Sequence, residues 1–120
     1  MRLTGDGVLV VHHDEDVERT TDGTGNVADM TYDELHALDA AYWFTEECTC
    51  RDRPEADYVW RGARTGDREA PDGSEADDFA IARFADIARD HPDHVLNVEI
   101  KGEAPEALPA AAELARQVEE

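Results

Sequence analysis

Lysine is almost missing from this chain. Of its eleven basic residues ten are Arg and one is Lys101, set against thirty Asp and Glu. A formal net charge of -19 makes non-specific binding to nucleic acid or anionic lipid headgroups electrostatically unfavourable, and nucleic acid is not expected as a partner. The acidity is spread along the chain, which reads as a solubility or high-salt trait of the host; the lysine scarcity fits a GC-rich genome equally well. No apolar run approaches the ~18 residues of a membrane span, and the opening MRLTGDG has no apolar signal-peptide core, so the chain is expected to be soluble as written. With 34% charged residues in 120, there is limited material for a core, and a freestanding large fold is not expected.

Cysteine is scarce too. Cys48 and Cys50 are the only two, and their spacing is too short for an unstrained disulfide between them. Metal or redox use stays open, but no second Cys pair or spaced His pair joins His12 and His13, so structural zinc is not expected.

Against these absences stands VLNVEIK, residues 95–101. Its two-residue side-chain period puts Leu96, Val98 and Ile100 on an apolar face and Asn97, Glu99 and Lys101 on a chemical one. A carboxylate and an amine at the end of a strand suit the floor of an active site; an edge strand with a solvated face is the plainer reading. Near the start, a Gly-Asp-Gly turn at 5–7 leads into the β-branched run Val8 to Val11, a buried strand on which Leu9, Val11 and His13 share a face. A Thr-, Asp- and Gly-rich loop follows, and Thr31 with Glu34 stands at capping-box spacing before a short helix lined by Leu35 and Leu38.

Residues 45–78 lack periodicity and read as a long irregular excursion anchored by Tyr58 and Trp60, of the kind that often forms a functional lid. A helix over 83–90, buried on Phe84, Ile87 and Ala88, is stopped by His91-Pro92. The last segment places Leu108, Ala111, Ala112, Ala115 and Val118 at helical spacing, with Pro105 and Pro109 near its start. No repeat is visible. The order strand, loop, helix, excursion, helix, strand, helix predicts parallel βα units, and so few strands predict a slice of a larger α/β domain.

Chemistry-bearing residues collect at the two strand ends: His13 and Asp14 after the first, Glu99 and Lys101 on the second. A His exchanges protons near neutral pH, a carboxylate holds a divalent cation and a lysine neutralises an anionic oxygen, which together suit phosphoryl chemistry. Taken singly, each has a bland alternative: a hydrogen-bonded structural His, or a surface ion pair worth little.

The runs RLTGDGVLVVHHDEDVERTTDGTGNVADMTYDELHALDAAYWF and VLNVEIKGE resemble the glycerophosphodiester phosphodiesterase family, whose pattern is a DG turn, a strand ending in HD, an R-T-T loop, a T-x-x-E-L-x-x-L-D helix and an E-I-K strand. The intervening RGARTGDREAPDGSEADDF is similar to the long actinobacterial version. The resemblance implies a fragment of a TIM (β/α)8 barrel, residues 1–120 being a partial domain. It also implies hydrolysis of a glycerophosphodiester to sn-glycerol 3-phosphate and an alcohol, assisted by Ca2+ or Mg2+. It makes His13 a catalytic acid or base, Glu99 a metal ligand, Lys101 a substrate-binding cation, Asp14 a partner orienting His13, and Arg19 with Thr20 and Thr21 the support of the adjoining loop. His12 is assigned to the opposite strand face and left out. Secreted members are common among the long relatives, so a secreted parent fits the resemblance.

The departures are specific. The family's H-R-G and E-x-D, which supply another catalytic His and two more metal ligands, would precede Met1, and later barrel strands would follow Glu120. IARFADIA at 81–88 stands for I-P-T-L-x-E-V-L, with Ala82 for proline, a change expected to touch a helix entry only. A metal held by Glu99 alone would keep mostly water ligands, and losing one of two proton-transfer groups costs a factor of ~100 to 10,000, so this polypeptide is expected to have negligible activity. The competing reading is a non-catalytic acidic module binding calcium or a partner through its loops. DEDVERTTDG is no EF-hand, because Arg19 falls at the glycine position and no later Glu is in register. An incomplete barrel would expose edges at 8–11 and 95–100, which predicts association or poor folding.

Overall fold

The structure, a computed structural model, describes residues 1–103 and 107–119; Pro105 lies outside them. The first turn forms as its residues dictate. Gly7 takes φ 83°, the left-handed region that glycine occupies without steric cost, and Gly7 N donates to Thr4 O at 3.0 Å. Thr4 Oγ1 donates to Asp6 Oδ1 at 2.6 Å and accepts from Val8 N at 2.9 Å. The reversal pairs β1, Arg2–Leu3, antiparallel with β2, Leu9–Val10, placing Arg2 opposite Val10 and Leu3 opposite Leu9. This corrects the expectation of parallel units for the first strand: a three-residue turn returns the chain beside itself, whereas a parallel partner needs a crossover of a dozen residues or more.

The other side of β2 is also covered. Val11 N donates to Ala82 O at 2.9 Å, and Val10 forms an antiparallel bridge with Arg83. Residues 8–11 are therefore not the free edge that the sequence suggested. Alternation along β2 sends Leu9 into one cluster, with Phe84 and Ala110, and Val10 into a second, with Val17, Val27, Leu35 and Ile81.

Helix α1, Tyr32–His36, begins at the expected capping box. Thr31 Oγ1 accepts from Glu34 N at 3.2 Å and Glu34 Oε2 accepts from Thr31 N at 2.8 Å, while Leu35 is buried and Leu38 packs beside it. Helix α2, Phe84–Asp90, buries Phe84 and partly buries Ile87 and Ala88, and ends at His91 as expected. Helix α3, Ala107–Glu119, forms over the predicted segment but packs through Ala110 and Leu114. Leu108 and Val118 stay largely exposed. The small Ala110 side chain admits Leu9 and Phe84 at close range, and that contact sets the helix rotation.

Residues 95–101 run extended without forming a regular strand. Met1 N donates to Glu99 O at 2.6 Å and Lys101 N donates to Met1 O at 2.9 Å, the bonding pattern of a parallel pair centred on Ile100. Val98 and Ile100 pack against the Leu9 cluster, whereas Val95 is fully exposed.

The excursion over 45–78 is irregular apart from short 3-10 turns at Glu55–Asp57 and Ala76–Phe79. Tyr58 anchors it from a buried position and Trp60 sits against Phe79, as expected. Arg61 lies 3.8 Å from the ring centre of Tyr58 and 4.0 Å from that of Tyr42, its charge also meeting Glu55 at 2.7 Å. Buried Asp39 fastens the excursion to the end of α1, accepting from Gly62 N at 2.8 Å and Ala41 N at 3.0 Å. Cys48 and Cys50 are joined in a disulfide with Cα atoms 5.5 Å apart. Thr45 fixes the turn before Cys48, its Oγ1 donating to Cys48 O at 2.8 Å and accepting from Cys48 N at 2.9 Å. The disulfide withdraws both sulfurs from metal binding. The whole is a small α/β arrangement whose Cα radius of gyration is 15.1 Å, looser than the ~13.6 Å of a compact domain of this length. No helix among the described residues is long and apolar enough to cross a membrane.

Candidate active site

His13 follows β2, and β1 holds its backbone: Arg2 Nε donates to His13 O at 3.0 Å. The imidazole is fixed from the next residue, with Nδ1 and Asp14 Oδ1 2.7 Å apart. Arg19 in turn grips Asp14 with both arms of its fork, Nε to Oδ2 at 2.5 Å and Nη2 to Oδ1 at 3.1 Å. The Arg19 guanidinium, and after it His13, hold the Asp14 carboxyl well below its usual range. Asp14 is thus an acceptor only. Nδ1 of His13 donates to it, and Nε2 is left as the nitrogen that can exchange a proton with a ligand.

The loop that carries Arg19 is tied at both ends. Val17 N donates to Gly25 O at 3.1 Å and Val27 N to Glu15 O at 2.9 Å, while buried Thr21 donates through Oγ1 to Val17 O at 2.8 Å. Trp43 Nε1 donates to Thr21 O at 2.9 Å, and Arg51 donates to Glu18 O. The excursion therefore braces this loop from outside. None of its residues over 45–78 borders the His13 hollows, so it does not act as their lid in this arrangement.

Glu99 and Lys101 meet the expectation of a shared face, with Lys101 Nζ 2.8 Å from Glu99 Oε1. The ion pair lowers the Glu99 pKa, chiefly through the hydrogen bond from Lys101, with the nearby His13 charge acting in the same direction. A hollow of about 270 Å³ is bordered by His13, Asn97, Glu99 and Lys101, with Met1 and Val11 closing its sides. The structure thus brings His13, Glu99 and Lys101 to one shallow, open depression, with Asp14 and Arg19 behind the imidazole.

Two participants were not legible beforehand. Arg2 was not singled out, although the Gly-Asp-Gly turn could have signalled that β1 lies beside the end of β2. His12 was assigned to the opposite face, yet it borders the same hollow as His13. The strand ends at Val10, so strict alternation no longer applies at 12 and 13; Nε2 of His12 donates to Asp16 O at 2.8 Å.

A divalent ion fits this donor set poorly. Among the described residues no three His, Cys, Asp or Glu side chains converge, and the one carboxylate bordering the hollow is already paired with Lys101. Calcium takes six to eight oxygens, and magnesium needs a near-octahedral shell. The calcium-binding module finds no support in the same geometry.

Residues 1–119 match the Glycerophosphoryl diester phosphodiesterase family. A glycerophosphodiester phosphodiesterase of Bacillus subtilis (strain 168) is 42% identical over 55 residues, covering 46% of this chain and 19% of that protein. Another, from Caldanaerobacter subterraneus subsp. tengcongensis, is 53% identical over 47 residues, covering 39% and 19%. Glycerophosphodiester phosphodiesterase 1 of Bos taurus is 44% identical over 41 residues, covering 34% and 12%. The aligned stretches span a fifth or less of each of these relatives. With a match that runs through both the HD and the E-I-K segments, this chain belongs to the glycerophosphoryl diester phosphodiesterase family.

Proposed function

We propose that this chain carries part of the active site of a glycerophosphodiester phosphodiesterase, which cleaves its substrate to sn-glycerol 3-phosphate and an alcohol, and that its α/β arrangement is a portion of a (β/α)8 barrel. The observation that carries the reading is the hollow shared by His13, Glu99 and Lys101, with Asp14 behind the imidazole.

The chain's own residues account for two parts of the chemistry. Lys101 binds an anionic phosphate oxygen, for which it must exchange some of its contact with Glu99. Breaking the P–O bond to the alcohol leaves an oxygen that needs a proton, and His13 Nε2 is the atom that gives it; the attacking water, on the opposite side of phosphorus, would give its proton to a second base. Asp14 and Arg19 keep the ring in the tautomer that leaves Nε2 free. Ca2+ or Mg2+ would neutralise phosphate charge in a complete active site; at this hollow Glu99 is the one carboxylate that would face it, too few ligands to hold the ion, so the chain's own steps run through His13 and Lys101.

A chimera tests the assignment. Residues of this chain replace the corresponding stretch of the Bacillus subtilis relative, and release of sn-glycerol 3-phosphate is followed. Retained turnover that falls ~100-fold or more in His13→Ala and Glu99→Gln supports the reading. Turnover indifferent to both substitutions in a folded chimera overturns it.

A further inference from the structure

His13 stands on a ridge between two concavities. One is the hollow already described; the second, of about 320 Å³, shares Val11, His12 and His13 with it and continues to Arg19, Thr20, Ala40, Ala80, Ile81 and Ala82. We infer that this second hollow receives the alcohol released from the phosphodiester and favours an uncharged polyhydroxy alcohol over a cationic amino alcohol, an inference that rests on the proposed function.

The argument is geometric first. A phosphodiester has two ester arms on one phosphorus, and the arm that leaves must place its oxygen within reach of the proton donor, His13 Nε2. Lys101 and Glu99 mark the first hollow as the side that keeps the phosphate, so the leaving arm extends over the imidazole to the other side. Residues 80–82 form that wall because Ala82 O accepts from Val11 N at 2.9 Å, which holds them against the end of β2. Ala82 is thus more than an altered helix entry: it borders the space beside the imidazole, and alanines at 40, 80 and 82 leave that space open.

Charge then decides the class of alcohol. Among the described residues no carboxylate and no Phe, Tyr or Trp borders this hollow, so a quaternary or primary ammonium would find neither a counter-charge nor a ring face there. Arg19 is its one permanently charged group and is already matched by Asp14. A cation added beside this balanced pair has no partner, whereas hydroxyl groups find the Thr20 hydroxyl and the Arg19 guanidinium.

Methyl and amide NMR of this chain can read the two hollows separately. The probes are glycerophosphoinositol, glycerophosphocholine and sn-glycerol 3-phosphate. Glycerophosphoinositol is expected to shift Lys101 together with the Ala40 and Ala82 methyls, sn-glycerol 3-phosphate to shift Lys101 alone, and glycerophosphocholine to bind on the order of tenfold more weakly, a 1.4 kcal/mol difference. Ala82→Leu should weaken glycerophosphoinositol binding and leave that of sn-glycerol 3-phosphate unchanged; Ala40→Val serves if that variant does not fold. Lys101 responding while Ala40 and Ala82 stay silent, or glycerophosphocholine shifting the methyls as tightly as glycerophosphoinositol, overturns this inference and leaves the proposed function standing. No response at Lys101 or His13 to any probe overturns both.

Discussion

His13 and Asp14, adjacent in sequence, are joined side chain to side chain, Nδ1 to Oδ1 at 2.7 Å, although neighbours on a regular strand would point to opposite faces. The contact is possible because β2 stops at Val10 and the chain bends before Arg19 clamps the carboxylate. Asp14→Asn removes the ionised acceptor that specifies the His13 tautomer. Nitrogen-15 NMR of the imidazole should then show a mixture of Nδ1–H and Nε2–H forms in place of the Nδ1–H form. An unchanged tautomer in Asp14→Asn would show that the ring is held by something else.

Acid should act on the same pair. The Asp14 carboxyl titrates below its ordinary 3.8 in the folded chain, and Glu113, held by Arg116 and then Gln117, titrates at about 2 against 4.5. Both are depressed, so the unfolded chain binds more protons in this range, and their stabilisation is complete above about pH 4.5 and is lost as the pH falls toward 2. The net charge of -19 works the other way, because protonating carboxylates relieves repulsion. Melting temperature should therefore rise from pH 7 toward 5 and fall below 4.5, with a shallower fall in Asp14→Asn; a fall of equal steepness would remove Asp14 from the account.

Packing gives a sharper contrast. Leu9 is buried between Phe84 and Ala110 while Val95 is fully exposed, so Leu9→Ala should cost ~2–5 kcal/mol in urea unfolding and Val95→Ala about 0.5 or less. Similar losses for the two would mean that 95–101 is packed elsewhere.

Self-association should be confined to one edge. β2 is covered on both sides, whereas 95–98 carries exposed Val95 and Leu96 with Met1 paired only farther along, at 99–101. Repulsion between copies of charge -19 is screened over ~10 Å at 0.1 M salt and ~3 Å at 1 M. Size-exclusion chromatography should show larger species as salt rises, abolished by Val95→Lys. A monomer at every salt concentration would contradict this.

Much of the site was legible in the sequence because its signals are local. The Gly-Asp-Gly turn, the Thr31 and Glu34 cap and the period-two sorting of Glu99 and Lys101 each depend on a few neighbouring residues. What escaped depends on distant partners: β1 beside β2 was hidden by strands only two residues long, and the grip of Met1 on Glu99 and Lys101 spans nearly the whole chain. The Asp39 tether to Gly62 required turn geometry that composition does not carry. The buried face of α3 was set by the close approach of Ala110, whereas the larger Leu108 and Val118 lie outside.

Turnover by these 120 residues alone is expected to be negligible, since among the described residues the hollow gathers one carboxylate, paired with Lys101, and two imidazoles, of which His12 is engaged with Asp16 O and His13 with Asp14. Glycerophosphocholine with calcium or magnesium is the assay. A rate comparable to that of an intact relative would show that the chemistry needs less than the proposed site supplies.

The juxtaposition of His13 with 97–101 is tested most directly by a nitroxide at position 13. Because Cys48 and Cys50 are bonded to each other, His13→Cys offers a single labelling site. The account predicts strong paramagnetic broadening of the Asn97, Glu99 and Lys101 amides. Sharp resonances over 97–101 would contradict it.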